Sequence, residues 1–309
     1  MHRYIIKRLL MLIPVIIGVT FLVFMIMSFS PGDPAQILLG DYATEQAVAE
    51  LREQMGLNDP VLVQYARYMW RLVQGDMGIS FSTGRPVFGE VMRRFPFTFI
   101  LAFVGMFLGV CISIPIGILS ATRQYSWGDR LGMIFALLGV SMPNFWVALL
   151  LITVFSLFLR VLPSGGADSI QSIILPAVSI GLGVAANITR MTRSSMLEVI
   201  RQDYIRTAKS KGLGRRVVIR KHALRNALIP IITVVGVQFG VMLGGAIFAE
   251  MVFAWPGLGR LMVESIRAQD TPQLLGCIVT FAIAFSMVNL LIDILYAFID
   301  PRIKSQYKH

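Results

Sequence analysis

Metal and nucleophilic chemistry in proteins rests most often on histidine, cysteine and paired acids. In this chain the histidines are His2, His222 and His309, none of them in an apolar stretch, and the cysteines are Cys111 and Cys277, both inside one. A thiol so placed packs as a small apolar group. No His/Cys metal spacing, no paired acids and no Gly-x-x-x-x-Gly-Lys-Ser/Thr phosphate loop occurs along the chain. Neither a catalytic residue, nor a metal site, nor a cofactor bound by this chain is therefore expected. The remaining candidates are of three kinds. Asn144, Asn187, Gln238 and Asn289 are polar groups stranded in apolar sequence, with Asp293 just beyond the last apolar run. Glu250 and Trp255 stand at a Trp255-Pro256-Gly257-Leu258-Gly259 turn, and a basic stretch fills 190–225. Stranded polar groups line a path or pair across helices.

The elements that must position these residues follow from charge patterning. Hydrophobic residues make up 56% of the 309 positions and charged residues 15%, against roughly 25% charged in a soluble globular domain. Six stretches contain no Asp, Glu, Lys or Arg: 9–32, 95–122, 131–159, 169–189, 226–249 and 271–292. A helix rises ~1.5 Å per residue, so ~20 residues cross a hydrocarbon core of ~30 Å, and every run is long enough. The expected fold is an all-α polytopic membrane protein with six transmembrane helices. A soluble enzyme is excluded.

The net charge of +11 would suit a nucleic acid, but its placement argues topology, because Lys and Arg gather in cytoplasmic loops. With the N-terminus inside, 19 of the 28 basic residues fall in cytoplasmic segments. They are Arg3, Lys7 and Arg8; Arg123 and Arg130; 11 residues from Arg190 to Arg225; and Arg302, Lys304 and Lys308. Both termini are expected in the cytoplasm, and no nucleic-acid partner is expected. The first apolar run is too long for a signal-peptide core and ends at Ser30-Pro31-Gly32-Asp33 without a small-x-small cleavage pattern. It should remain as the first membrane helix.

Three segments are expected: 1–30, the cytoplasmic N-terminus and first span; 31–94, a small extracytoplasmic helical insertion; and 95–309, a core of five spans that carries a cytoplasmic loop at 190–225. In the insertion, Asp59-Pro60 reads as a cap and first helical position. Val61, Tyr65, Tyr68, Met69 and Leu72 then recur at helical spacing until Gly75. A second helix is expected over 45–55, capped by Thr44 and stopped by Gly56. Too small to bury a core alone, the insertion must lean on membrane helices or a partner. In the fifth span, Gly236, Gly240, Gly244 and Gly245 flank Gln238 at a spacing that admits close helix approach, with packing against a partner subunit expected.

Within 190–225, Arg201-Gln202-Asp203 should interrupt the helix descending from span four. Asp203 can cap a short helix over 204–211, and Gly212 supplies the left-handed residue that closes it. After Leu213-Gly214 a second helix is expected over 215–227, with Pro230 opening span five. Anionic lipid would account for the charge but not for a two-helix elbow carrying the small residues Thr207, Ala208, Ser210 and Gly212. A docking element for a cytoplasmic partner accounts for both.

Arg206-Thr207-Ala208-x-x-x-Gly212, followed by His222-Ala223-Leu224-Arg225-Asn226-Ala227-Leu228-Ile229-Pro230, resembles the cytoplasmic coupling loop of ABC importer permeases. More narrowly, it is similar to the dipeptide/oligopeptide/nickel/glutathione family. Pro31-Gly32-Asp33-Pro34, Gly56-Leu57-Asn58-Asp59-Pro60, Gly75-Asp76-Met77-Gly78 and Asp300-Pro301-Arg302 resemble that family's other marks, in order along nearly the whole chain. Arg206 and Thr207 replace the first two residues of the general Glu-Ala-Ala motif, and Pro230 is displaced, as in the peptide-type subfamily. The ion pair of the usual glutamate is thereby lost to this subunit.

The resemblance implies a permease subunit of an ATP-driven importer, multi-pass in a bacterial or archaeal cytoplasmic (inner) membrane and in contact with its lipid. It implies a second homologous permease, two cytoplasmic ABC ATPase subunits that use ATP and Mg, and an extracytoplasmic substrate-binding protein. Tyr204, Arg206, Thr207, Ala208, Gly212 and Leu213 would couple to the ATPase. Asn144 and Gln238 would touch the substrate pathway, and Glu250 and Trp255 would serve an outer gate or receptor contact. Small di- and oligopeptides rank first as substrate. Glutathione or chelated nickel are the alternatives within the same machinery, and the Gly165-Gly166-Ala167-Asp168 turn is similar to glutathione-type members. A secondary transporter, the alternative of a different class, would carry buried charges where this chain has charge-free runs. A channel would have no need of the elbow.

Overall fold

The computed structural model describes the backbone of residues 2–30, 32–40 and 42–299, and their side chains except those of 2–5, 7–9, 293 and 295–299. Pro31, the Asp300-Pro301-Arg302 motif, Lys304 and Lys308, and the side chains of Arg3, Lys7, Arg8 and Asp293 lie outside the described residues. Among the described residues the chain is helical, with one isolated bridge between Ile79 and Pro86. The helices are α1 (His2–Phe29), α2 (Pro34–Leu39), α3 (Glu45–Gln54), α4 (Val61–Val73), α5 (Val87–Thr122), α6 (Trp127–Ser141) and α7 (Asn144–Leu151). They continue as α8 (Ile174–Ile200), α9 (Asp203–Ser210), α10 (Arg215–Val217), α11 (Arg225–Val252), α12 (Leu258–Arg267) and α13 (Thr271–Ile299).

Five of these segments are long and apolar enough to cross a membrane, and a sixth arises if α6 and the helix after it form one span bent by 107°. The third charge-free run, expected as one straight helix, is thus broken. Its cause is local: Pro143 offers no N–H to continue α6, and Met142 before it is driven to an extended conformation (φ −87°, ψ 129°).

The chain divides into two compact units, to which α5 and α13 each contribute a part. The first comprises residues 2–98 and 256–286. Here Thr44 caps α3 by accepting from Ala47 N–H at 3.3 Å, and Gly56 takes the left-handed conformation (φ 67°) just beyond it, as expected. Asp59-Pro60 behaves otherwise: Pro60 is the cap position without a side-chain bond, and Asp59 pairs with Arg67 at 2.5 Å. The apolar face of α4 packs Tyr65, Tyr68, Met69 and Leu72 against Val23, Phe24 and Leu275. The Tyr65 hydroxyl donates to Ile17 O at 2.9 Å and lies 3.0 Å from the Thr20 hydroxyl. So α4 leans on the membrane helices, one of the two outcomes its size allowed. A second cluster joins Met77, Val87 and Val91 to Leu258, Leu261, Cys277 and Val279.

One carboxylate ties this unit together. Asp270 is fully buried, and its Oδ2 accepts from the hydroxyls of Ser80 (2.5 Å) and Ser82 (2.8 Å) and from Ser82 N–H (3.0 Å). Its Oδ1 accepts from Gln273 N–H at 3.2 Å, in the first turn of α13. A buried charge persists only when its acceptor sites are filled, and here they are filled by a loop far off in sequence.

The second unit comprises residues 99–255 and, among the described residues, 287–299. Its centre is α8, whose residues from Leu175 to Thr192 are mostly buried. Lipid supplies no hydrophobic drive between helices, so contact depends on close packing. Glycines provide it: a Cβ on Gly181 would stand 2.7 Å from Gly105 O, one on Gly109 3.0 Å from Gly181 O, and one on Gly117 2.5 Å from Thr192 Cβ. Gly236 likewise meets Ile292 of this same chain, at 2.7 Å from its added Cβ, whereas Gly244 and Gly245 face open space. Packing of Gly236 inside the chain departs from the partner contact expected of it. Two stretches, Ile152–Phe158 and Val218–Leu224, are wound wider than an α-helix. After the first, Leu159 N–H donates to Val154 O at 2.9 Å, five residues back.

Gly181→Ala is expected to lower the melting temperature of the detergent-purified chain, an overpacking cost of about 1–3 kcal/mol. Gly18→Ala, whose methyl meets nothing within 4 Å, should leave it unchanged or slightly raised. A scanning-fluorimetry melt of the two variants checks this.

Candidate functional site

The basic stretch forms an elbow. α8 ends at Ile200, and α9 starts at Asp203 with Gln202, not Asp203, in the cap position. Asp203 sits in the first turn, where its charge suits the helix dipole, and the side chain of Gln202 makes no capping bond. The closing turn is as expected: Gly212 is left-handed (φ 77°), its N–H donates to Lys209 O at 3.0 Å, and Leu213 N–H reaches back to Ala208 O at 3.4 Å. The second expected helix is not a separate element. α10 passes through the wide stretch Val218–Leu224 straight into α11, and Pro230 lies inside α11 rather than at its start.

α9 has two faces. Ile205 and Ala208 are buried, while Tyr204, Arg206, Thr207, Gly212 and Leu213 are exposed. Of the six residues expected at a partner contact, Ala208 is thus turned inward and holds the helix to its own chain. The elbow is tied at both ends: Asn226 Nδ2 donates to the Tyr204 hydroxyl at 2.9 Å, and Arg215 Nη2 donates to Thr122 O at 2.8 Å. Close by in the chain, the hairpin after α5 is fixed by Asp129. Its carboxylate accepts from Arg193 Nε (2.7 Å) and Nη2 (3.0 Å) and from Tyr125 N–H (3.0 Å). A two-pronged pair of this kind fixes orientation as well as distance. It joins the start of α6 to the last part of α8, about two turns before the elbow.

The other candidates are scattered. Asn144 is exposed at the first position of α7, with its Oδ1 against Gly183 of α8. Gln238 is half-buried midway along α11. Glu250 (0% exposed) and Trp255 (5%) are both buried, so neither offers a surface to a receptor. Trp255 N–H donates to Glu250 O at 2.8 Å across Ala254, which is left-handed (φ 49°), and Gly166 N–H donates to Phe253 O at 2.9 Å. A Cβ at Gly165 would stand 2.3 Å from that same carbonyl. The two turns are locked together, backbone on backbone.

A cavity of about 850 Å³ in the first unit is lined by Arg52, Glu53, Arg71 and Gln269, by Gly32, Asp33, Gly56 and Asp59 of the motifs noted in the sequence, and by none of the residues expected at a coupling, pathway or gate site. Its lining comes from α1, α2, α3, α4 and α13 and from the loops beside them, so no single local pattern announces it. At its wall stands Tyr68, whose phenol is pushed above its ordinary range by burial and, less, by Tyr65 and Cys277.

A chain that is helical among its described residues, with several helices long and apolar enough to cross a membrane and a tethered basic elbow between two of them, defines a polytopic membrane component. The chain belongs to the binding-protein-dependent transport system inner membrane component family. That family's model matches residues 113–305, and the model of its N-terminal part matches residues 1–102. The chain is 45% identical to the dipeptide transport system permease protein DppB of Alkalihalophilus pseudofirmus, over 98% of this chain and all of that one. It is 44% identical to the glutathione transport system permease protein GsiC of Salmonella typhimurium and to that of Escherichia coli, over 98% of this chain and 99% of each. In fold it is similar to a chain of the inward-facing MetNI methionine ABC transporter, with a TM-score of 0.60 and 20% identity over 68% of this chain and 96% of that one.

Removing the carboxylate in Asp129→Ala strands a half-buried guanidinium, and a loss of about 3–5 kcal/mol is expected. Arg193→Met added to it should restore part of that loss. A double-mutant cycle on the melting of the purified chain measures the coupling.

Proposed function

We propose that this chain is one of two permease subunits of an ATP-driven ABC importer that carries small peptides across the cytoplasmic membrane. The observation that carries this reading is the elbow. It is a short closed helix with an exposed face of Tyr204, Arg206, Thr207 and Leu213, tethered to α5 and α11, in a chain that matches a dipeptide permease end to end. In this reading both termini and the elbow lie in the cytoplasm, where the basic residues gather, and residues 31–94 lie outside. Two ATPase subunits hydrolyse ATP with Mg. One of them receives the elbow in a groove and moves it, with α5, α8 and α11, as a rigid body. A second, homologous permease completes the pathway, and an extracytoplasmic binding protein delivers the substrate.

Gln238 and Asn144 are assigned to the pathway, on the ground that each is a polar side chain in an apolar span with surface left open. Glu250 and Trp255 are assigned to the support of an outer gate rather than to receptor contact, because both are buried beneath the locked turns. Glutathione remains the second reading for substrate, favoured by the relatives at 44% identity over nearly the whole chain.

Affinity purification of the subunit from its native membrane, followed by an ATPase assay, tests the assignment. A second permease and ATPase subunits should come with it, with hydrolysis stimulated by a peptide-loaded binding protein. A subunit that purifies alone after gentle extraction would overturn it. The elbow has its own test in Gly212→Val. A side chain there meets no atom within 4 Å, so the cost is that of the left-handed backbone, about 1–2 kcal/mol. The complex should assemble while transport-coupled ATPase activity falls, and Gly212→Asn, which tolerates this conformation, should retain most of it.

A further inference from the structure

α8 is buried over most of its length and charged at its end. Arg190, Ser194, Leu197, Glu198 and Arg201 recur at three- and four-residue spacing and so share one face. With Met133 of α6 and Gln202 they line a groove of about 530 Å³. Arg193, which also lines it, is committed to Asp129. Arg190 and Arg201 are exposed, and among the described residues neither forms an ion pair; Arg190 reaches only the Asn187 carboxamide oxygen, at 3.5 Å. Glu198 is the one carboxylate in the lining, and it too forms no ion pair among the described residues. Beyond Met133 on the same face of α6, Leu137 and Val140 are exposed, with Leu131, Ile134 and Leu138 exposed round the rest of the helix. At the start of the same helix, Trp127 is exposed with the Arg130 guanidinium 5.5 Å from its ring centre. This aromatic–cation pair is of the kind that marks a membrane–water interface.

The geometry points to a binding site for the headgroup of an anionic phospholipid in this groove, held by Arg190 and Arg201 with Ser194 and Gln202 as neutral donors, its acyl chain lying along the apolar flank of α6. Guanidinium forks suit a phosphate oxyanion better than an ammonium would. A free phosphate would use the same donors, but the continuous apolar flank has a use only for a ligand with a chain. The site rests on the cytoplasmic placement of this end of α8 proposed above, where anionic lipid is concentrated, and not on the identity of the transported substrate.

The test is lipid retention by the full-length subunit, in its complex where one assembles. The protein is reconstituted in nanodiscs containing phosphatidylglycerol and phosphatidylcholine, extracted gently, and its retained lipids are counted by native mass spectrometry. Phosphatidylglycerol should be retained selectively. Arg190→Gln and Arg201→Gln should each lower that retention about fivefold, with melting temperature unchanged. Arg216→Gln, which removes an exposed charge outside the groove, should not lower it. Equal retention of the two lipids would overturn the site, as would retention indifferent to the two arginines. Displacement of the lipid by millimolar inorganic phosphate would overturn the lipid in favour of the free ion. Because lipid is counted without ATP or peptide, a failed importer assay with selective retention would leave this site standing, and the reverse result would remove the site alone.

Discussion

The backbone contact between α5 and α8 is the constraint on which the second unit depends. Helices in lipid are not driven together by exclusion of water, so the attraction must come from atoms in close contact. At Gly105, Gly109 and Gly181 that contact is between main chains, with no room for a methyl group. Once α8 is seated there, Arg193 meets Asp129 and the end of α8 is held against the start of α6. The elbow then hangs from a fixed point, and Arg215 returns it to the end of α5 at Thr122. The placement of the elbow's exposed face follows from a seam about five turns back along α8.

Two buried aspartates show how such a protein handles polar groups where water is scarce. Asp129 meets a guanidinium and a main-chain amide, and so fixes both the direction and the charge of its partner. Asp270 meets hydroxyls and amides instead, and all its named partners are neutral. The first arrangement joins two helix ends. The second fastens a loop near residue 80 to the first turn of α13, a role in which each added hydrogen bond narrows the loop's freedom.

Much of this was legible in the sequence because it is local. Freedom from charge over more than twenty residues announces a span, and Gly212 announces a helix end, since each depends on a residue's own properties. Thr44 and Gly56 mark the limits of α3 for the same reason. The break in the third apolar run was also written locally, in Pro143, but a hydropathy reading averages over a single proline. The glycine seam was not legible, because Gly105 and Gly181 are ordinary helix residues until their partner is known. Asp270 and its serines lie nearly two hundred residues apart, and nothing at either place names the other. The faces of α9 fall between these cases. The helix was plain, but Ala208 pointing inward is a matter of how the elbow is hung.

The wide-wound stretch from Val218 to Leu224 has a consequence for the phase of the molecule. A helix advances about 100° per residue, and a stretch wound with a longer repeat absorbs surplus angle before α11 begins. The azimuth of the elbow around α11 is therefore decided by the count of residues and their winding together, independently of what those residues are. Loss of a single residue between Gly214 and Arg225 would remove the same surplus and nearly keep the bearing, whereas relaxation to ordinary winding with every residue retained would swing the exposed face of the elbow round the axis of α11. The composition of the loop would then remain the same, and its outward charge with it. What would change is the bearing on which that charge is presented, so that this short segment works as a vernier between the membrane helices and whatever meets them from outside.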